Sequence, residues 1–197
     1  MTKREVRAGL APEIRADGDG VHVEGYAAVF GQRANIFDMF EEVIEPGAFT
    51  EALRRGDDVE FLVNHGGLPL ARTVSGTLNL SEDDRGLAVA SDLDGSDPDV
   101  QMLVPKLRRG DLSKMSFAFL AEREEWDDTG DMPIRRIVQV RLYDVAVVNR
   151  PAYAGTEIGL RSLEEFRARH SRQHNFAAAE SRVARRMRMN LRMRGAR

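Results

Sequence analysis

The chain of 197 residues has no cysteine, a single tryptophan and only four histidines. Without cysteine there is no disulfide, no thiolate metal site and no cysteine nucleophile. No apolar run approaches the ~20 residues that a bilayer-spanning helix requires. The first twenty residues, MTKREVRAGLAPEIRADGDG, also lack the apolar stretch of a secretory signal. The expectation is a soluble, cytoplasmic protein that does not engage a membrane. Other signatures are missing too. There is no G-x-S-x-G elbow, no H-E-x-x-H, no glycine-rich phosphate loop, no cluster of metal ligands and no internal repeat. The acids are numerous but scattered, so paired-carboxylate glycosidase chemistry has no focus.

What is present is an ordinary soluble composition, 42% hydrophobic and 31% charged, enough to bury a core without staples. The length favours one domain with appendages. The formal charge of −3 hides an asymmetry. From Leu163 onward there are ten arginines, no lysine and three acids, so this tail carries about +7. The remaining 19 basic and 29 acidic residues give the body about −10. The expected organisation is a flexible lead over 1–20, a compact domain over 21–160 and a basic, arginine-rich tail over 161–197.

Within the compact part, apolar and polar residues alternate from Val21 to Val29, as in a strand. Short strands are expected at Glu42–Ile44 and Val59–Val63. A helix over 48–55 stops at Gly56, a residue suited to the left-handed position after a helix. Val74–Leu80 and Leu87–Ser91 flank Ser81–Gly86 and read as a hairpin. A helix begins after Asp97 at Pro98 and ends at Gly110, with Pro105 favouring a kink. Lys114–Arg123 and Ile134–Val148 are the last strands, and Arg150–Tyr153 closes the compact part. About seven strands and two helices make the fold α+β, mainly β, with a curled or closed sheet.

Three polar residues stand out. His65 follows the apolar strand Val59–Val63 and precedes Gly66 and Gly67, a setting that suits a general base and equally an ordinary loop histidine. His22 lies on an alternating strand, and His170 and His174 lie in the basic tail. Ser116, in Lys114-Met115-Ser116-Phe117-Ala118-Phe119-Leu120, shares a strand face with Ala118 while the bulky residues point the other way. It is either a nucleophile open to a substrate backbone or a hydrogen-bonded strand serine. Ser113 is the nearby alternative. Asp144 is the one charged residue in the parity Val138, Val140, Leu142, Asp144, Ala146, Val148. A carboxylate there needs a partner such as a histidine ring N–H; a structural salt bridge, or a bulge that turns it outward, are the other readings.

The blocks Gly25-Tyr26-Ala27-Ala28-Val29-Phe30, Glu45-Pro46-Gly47-Ala48-Phe49, Asn64-His65, Met115-Ser116-Phe117-Ala118-Phe119 and Tyr143-Asp144-Val145-Ala146-Val147-Val148-Asn149-Arg150-Pro151-Ala152-Tyr153 together resemble the prohead proteases of tailed phages. The resemblance covers about residues 20–160. That family is similar to the herpesvirus assemblins, which implies a closed or nearly closed β-barrel flanked by helices and a serine nucleophile served by histidine. In assemblins the third member is a second histidine; the matching strand position here holds Asp144. The resemblance implies a serine endopeptidase with Ser116 as nucleophile, His65 as general base and acid, and Asp144 as orienting acid. Oxyanion donors are implied near Asn149-Arg150-Pro151, and no metal or organic cofactor. The implied substrates are the major capsid protein, its N-terminal delta segment and the scaffold, with self-cleavage besides, inside the procapsid in the host cytoplasm. The basic tail then binds acidic scaffold or capsid surfaces, or is removed. A catalytically silent capsid-assembly protein of the same fold is the alternative. A basic-armed nucleic-acid-binding barrel is disfavoured, because the acidic body would repel phosphate. Oligomeric state is left open.

Overall fold

The computed structural model describes residues 4–9, 11–17, 20–150 and 159–169. The chain divides after Ile158 into two units. Among the described residues the first contains all the strands; in the second, residues 159–169 are helical.

Eleven strands and two helices are found among the described residues of the first unit. In chain order they are β1 (Glu5–Ala8), β2 (Glu13–Asp17), β3 (Gly20–Val29), β4 (Ala34–Ile36), β5 (Phe40–Ile44), α1 (Thr50–Arg55), β6 (Glu60–Val63), β7 (Gly66–Arg72), β8 (Leu78–Glu82), β9 (Gly86–Asp94), α2 (Pro98–Arg109), β10 (Lys114–Asp127) and β11 (Ile134–Val148). The predominance of strands agrees with the sequence pattern. Both helices stop at glycines in the left-handed conformation, Gly56 (φ 69°) and Gly110 (φ 78°). Asp97 caps α2 by accepting from the Asp99 N–H at 2.8 Å, with Pro98 in the first turn.

Of the expected closed or nearly closed barrel of about seven strands, no closed sheet is found among the described residues. One sheet has seven strands in the order β1-β10-β11-β5-β4, with β6 also on β11 and β7 on β6. The other has four, in the order β2-β3-β9-β8. Neither sheet closes on itself. The physical reason lies in β11. Its first residues pair in parallel with β5 (Ile134↔Glu41 to Ile137↔Ile44) and its last with β6 (Asp144↔Glu60 to Val147↔Val63). One long strand edge therefore serves two partners in succession, and the sheet branches instead of curling into a ring.

Between the sheets lies one core. Val21, Val23, Leu87, Val89 and Leu93 from the small sheet meet Met115, Phe117, Phe119, Val140, Leu142, Val145 and Val147 from the large one, with Val100, Leu103 and Leu107 of α2. Strands also occur where the sequence pattern predicts a loose lead-in, at β1 and β2. The run expected as a strand from Val74 starts four residues later. Ser75 and Thr77 hydrogen-bond locally there: Thr77 Oγ1 accepts from the Arg72 N–H and Ser75 Oγ donates to the Arg72 carbonyl. Such local bonds compete with a strand ladder. Among the described residues no helix is long and apolar enough to cross a membrane.

Candidate active site

His65 sits in the tightest connection of the large sheet. Val63 pairs with Gly66, leaving Asn64 and His65 as a two-residue loop between β6 and β7. Both have positive φ, 51° and 58°, which is the requirement of a type I′ hairpin turn. Asparagine adopts this conformation readily; histidine does so at some cost. Backbone strain of this kind persists only where the surroundings over-determine it. Here the Asn64 N–H donates to the Val147 carbonyl (2.9 Å), and Asn64 Oδ1 accepts from the Asn149 N–H (3.2 Å). The turn is thus tied to the end of β11.

Ser116 lies on β10 opposite Ala146. Met115, Phe117 and Phe119 enter the main core, so Ser116 and Ala118 face the other way, as their parity requires. Asp144 reaches that same side by a route its sequence parity conceals. Ala118 pairs with Asp144, but Phe119 pairs with Leu142, so Tyr143 is an extra residue in a β-bulge. A bulge re-aims the side chains beyond it. Val140 and Leu142 consequently point into the main core, whereas Ala146 and Val148 join Leu62 in a small separate cluster. Asp144 belongs to the face of the latter.

The three residues form one hydrogen-bonded line. His65 Nε2 is 2.8 Å from Ser116 Oγ, and His65 Nδ1 is 2.6 Å from Asp144 Oδ1. A carboxylate oxygen accepts, so Nδ1 carries the hydrogen and Nε2 is left to take the serine proton. Asp144 is 3% exposed, and its other oxygen lies 3.6 Å from the Arg4 guanidinium. Arg4 in turn stacks over the Tyr143 ring. Ser116 is fully buried, and its Oγ also lies 2.6 Å from the Arg7 carbonyl oxygen of β1, which competes with His65 Nε2 for the single hydroxyl proton.

The remaining sequence candidates lie elsewhere. Ser113 is in the turn after α2, its N–H donating to the Val148 carbonyl. His22 is on β3, with Nδ1 2.6 Å from Asp92 and Nε2 3.5 Å from Glu24. The Asn149 N–H, in the region expected to supply oxyanion donors, is engaged by Asn64. Pro151, His170, His174 and the basic tail beyond Arg169 lie outside the described residues.

Beside the line runs a buried charge cluster that the sequence reading does not anticipate. Arg7 donates to Glu42 and Glu5, and Arg135 donates to Glu5, Glu42 and Glu124. Arg7, Arg135, Glu5 and Glu42 are all at most 4% exposed. Burial by itself lowers the Arg135 pKa, but the three carboxylates outweigh it and hold the guanidinium above its ordinary value. The available sequence signal is the alternation Glu5-Val6-Arg7, which places two opposite charges on one face of a strand.

Comparison with known proteins follows the geometry. The model of the caudovirus prohead serine protease family matches residues 11–169. Among solved structures, the chain is similar to the bacteriophage T4 capsid assembly protease, gp21. The identity is 12%, the match covers 76% of this chain and 98% of that one, and the TM-score is 0.51, a likeness of fold. A search of curated proteins gives no match.

Proposed function

The chain belongs to the caudovirus prohead serine protease family, and from that premise we propose that it is a serine endopeptidase of head maturation using Ser116, His65 and Asp144. The observation that carries the proposal is the continuous line Ser116–His65–Asp144, drawn from three separate strand regions. His65 Nε2 takes the Ser116 proton as Oγ attacks the scissile carbonyl carbon. The protonated ring then gives that proton to the leaving amine nitrogen, and an acyl-enzyme remains. Water, deprotonated by the same nitrogen, releases the acid and restores the serine. Asp144 holds the ring in the required tautomer and stabilises the imidazolium.

The substrates under this proposal are the major capsid protein with its delta segment, the scaffold and the chain itself, within the procapsid in the host cytoplasm. Kinship with the herpesvirus assemblins is part of the same proposal, with Asp144 in place of their second histidine. The catalytic domain spans 21–160, joined by β1 and β2, and the basic tail over 161–197 contacts acidic scaffold or capsid surfaces or is removed by self-cleavage. The complete burial of Ser116 favours a second reading, a silent assembly protein of the same fold. Co-expression with the cognate major capsid protein separates the two. The protease shortens the capsid protein and Ser116→Ala leaves it full length; a silent protein leaves it full length in both cases.

A further inference from the structure

The general base of the proposed line stands on a hairpin whose two arms are held unequally. On the β7 side Val63↔Gly66 is the pair next to the turn, and the following pair in register is Phe61↔Ala71. The single residue Leu62 therefore faces Gly67, Leu68, Pro69 and Leu70, of which the first three are exposed. Gly67 is itself left-handed (φ 86°). This arm is slack. A histidine in the left-handed conformation needs surroundings that hold it there, so the restraint comes from the other arm, β6 against β11.

On that arm Asn64 completes a ladder step after its chain has left the ladder. Val63 pairs in parallel with Val147, so the next step sets Asn64 against Val148. In a parallel ladder a residue so placed donates to the carbonyl before its partner and accepts from the N–H after it. The Asn64 N–H does donate to the Val147 carbonyl (2.9 Å). The turn carries its own carbonyl away (φ 51°), and the side-chain Oδ1 takes that place by accepting from the Asn149 N–H at 3.2 Å. Asparagine suits both tasks, since it tolerates left-handed backbone and carries a carbonyl oxygen on a short side chain. Asn64 is exposed, so its side chain adds nothing to the core. What its two bonds govern is the direction in which the chain enters His65. The ring of that residue must meet Ser116 Oγ at 2.8 Å and Asp144 Oδ1 at 2.6 Å together.

We infer that Asn64 is a positioning residue of the catalytic line: its Oδ1 stands in for a backbone carbonyl, extends the β6–β11 ladder by one step and thereby fixes the backbone that aims His65. The inference rests on the proposed role of His65 as general base. Two full-length variants test it. Asn64→Gly keeps a residue at ease in left-handed backbone and removes Oδ1, whereas Asn64→Asp keeps both the tolerance and the acceptor. Cleavage of the cognate capsid protein gives kcat and KM, and labelling by a fluorophosphonate reports the activation of Ser116 with no peptide bound. Asn64→Gly is expected to lower kcat and the labelling rate by about 10–10²-fold with KM at the parent value, the cost of a slightly misplaced base. Asn64→Asp is expected to restore both. A residue that only stabilises the fold would shift the unfolding midpoint and leave the rate per folded molecule alone. Parent-level kcat in Asn64→Gly, or an Asn64→Asp variant as slow as Asn64→Gly, overturns the inference. Failure of the catalytic proposal has a different signature, His65→Ala cleaving and labelling at the parent rate. Should Asn64→Gly not fold, hydrogen exchange on the unsubstituted chain decides. The Asn149 amide is expected to be protected; its exchange at the rate of an unstructured peptide overturns the inference.

Discussion

Two histidines in this molecule make the same contact and have different prospects. His65 and His22 each place Nδ1 2.6 Å from an aspartate oxygen. Around His22 the contact is wet: the histidine side chain is 35% exposed and Asp92 84%. Its other nitrogen faces Glu24, so the ring sits between two carboxylates. The hydrogen bond to Asp92 raises its pKa above the ordinary value, against a smaller opposing effect of burial. That environment stabilises the protonated ring, on a regular strand. Around His65 the contact is nearly dry, the carboxylate is 3% exposed, and the other nitrogen meets a hydroxyl. The backbone there is a left-handed turn tied down on both sides, in place of a regular strand. Distance to a carboxylate does not distinguish a catalytic histidine from a surface ion pair. What the far nitrogen meets, and how little water reaches the carboxylate, do.

The comparison can be broken most severely at the serine. Ser116→Ala is expected to cost on the order of 10⁶-fold in kcat, while Ser113→Ala leaves turnover at the parent value, both read from the rate of capsid-protein cleavage. The reverse result would move the nucleophile to Ser113. Next in size is the carboxylate. Asp144→Asn should lower kcat by about 10⁴-fold through the wrong ring tautomer, whereas Asp92→Asn leaves it unchanged; an unaltered Asp144→Asn enzyme would make Asp144 structural. In stability the order is the same. Asp144→Ala empties a buried, hydrogen-bonded site and should cost about 1–3 kcal/mol in denaturant unfolding, and Asp92→Ala much less.

Smallest is a pH effect. The folded-state pKa of His22 is raised, so its contribution to stability is fully present below the unfolded value near 6.5. It is lost as pH rises through the folded value. Comparison of parent and His22→Gln unfolding across that window should show the parent's advantage disappearing with rising pH; an advantage that grows would reverse the assignment.

Much of this is legible in the sequence alone. Gly56 and Gly110 mark the helix ends, and the alternations at Val21–Val29 and Lys114–Arg123 mark strands that exist. Ser116, His65 and Asp144 were each visible as a residue out of keeping with its neighbours, and resemblance to the phage proteases joined them. The route to Asp144 was not legible. Period-two reading puts it with Val140 and Leu142, whereas the bulge at Tyr143 moves it to the opposite side. A bulge is a property of two paired strands, and one strand's pattern does not contain it. The same holds for the branching of the large sheet at β11, which defeats the expected barrel, and for β1. Four residues with two opposite charges look like a solvated lead until Glu42 and Arg135, far along the chain, supply their partners.

The central claim, that His65 and not His22 serves the nucleophile, is tested most directly by measuring kcat/KM for cleavage of the cognate capsid protein by His65→Ala and His22→Ala, with folding checked by circular dichroism. The account predicts that His65→Ala falls to the level of Ser116→Ala and that His22→Ala keeps the parent value. Parent-level cleavage by His65→Ala, or a collapse in His22→Ala, would contradict it.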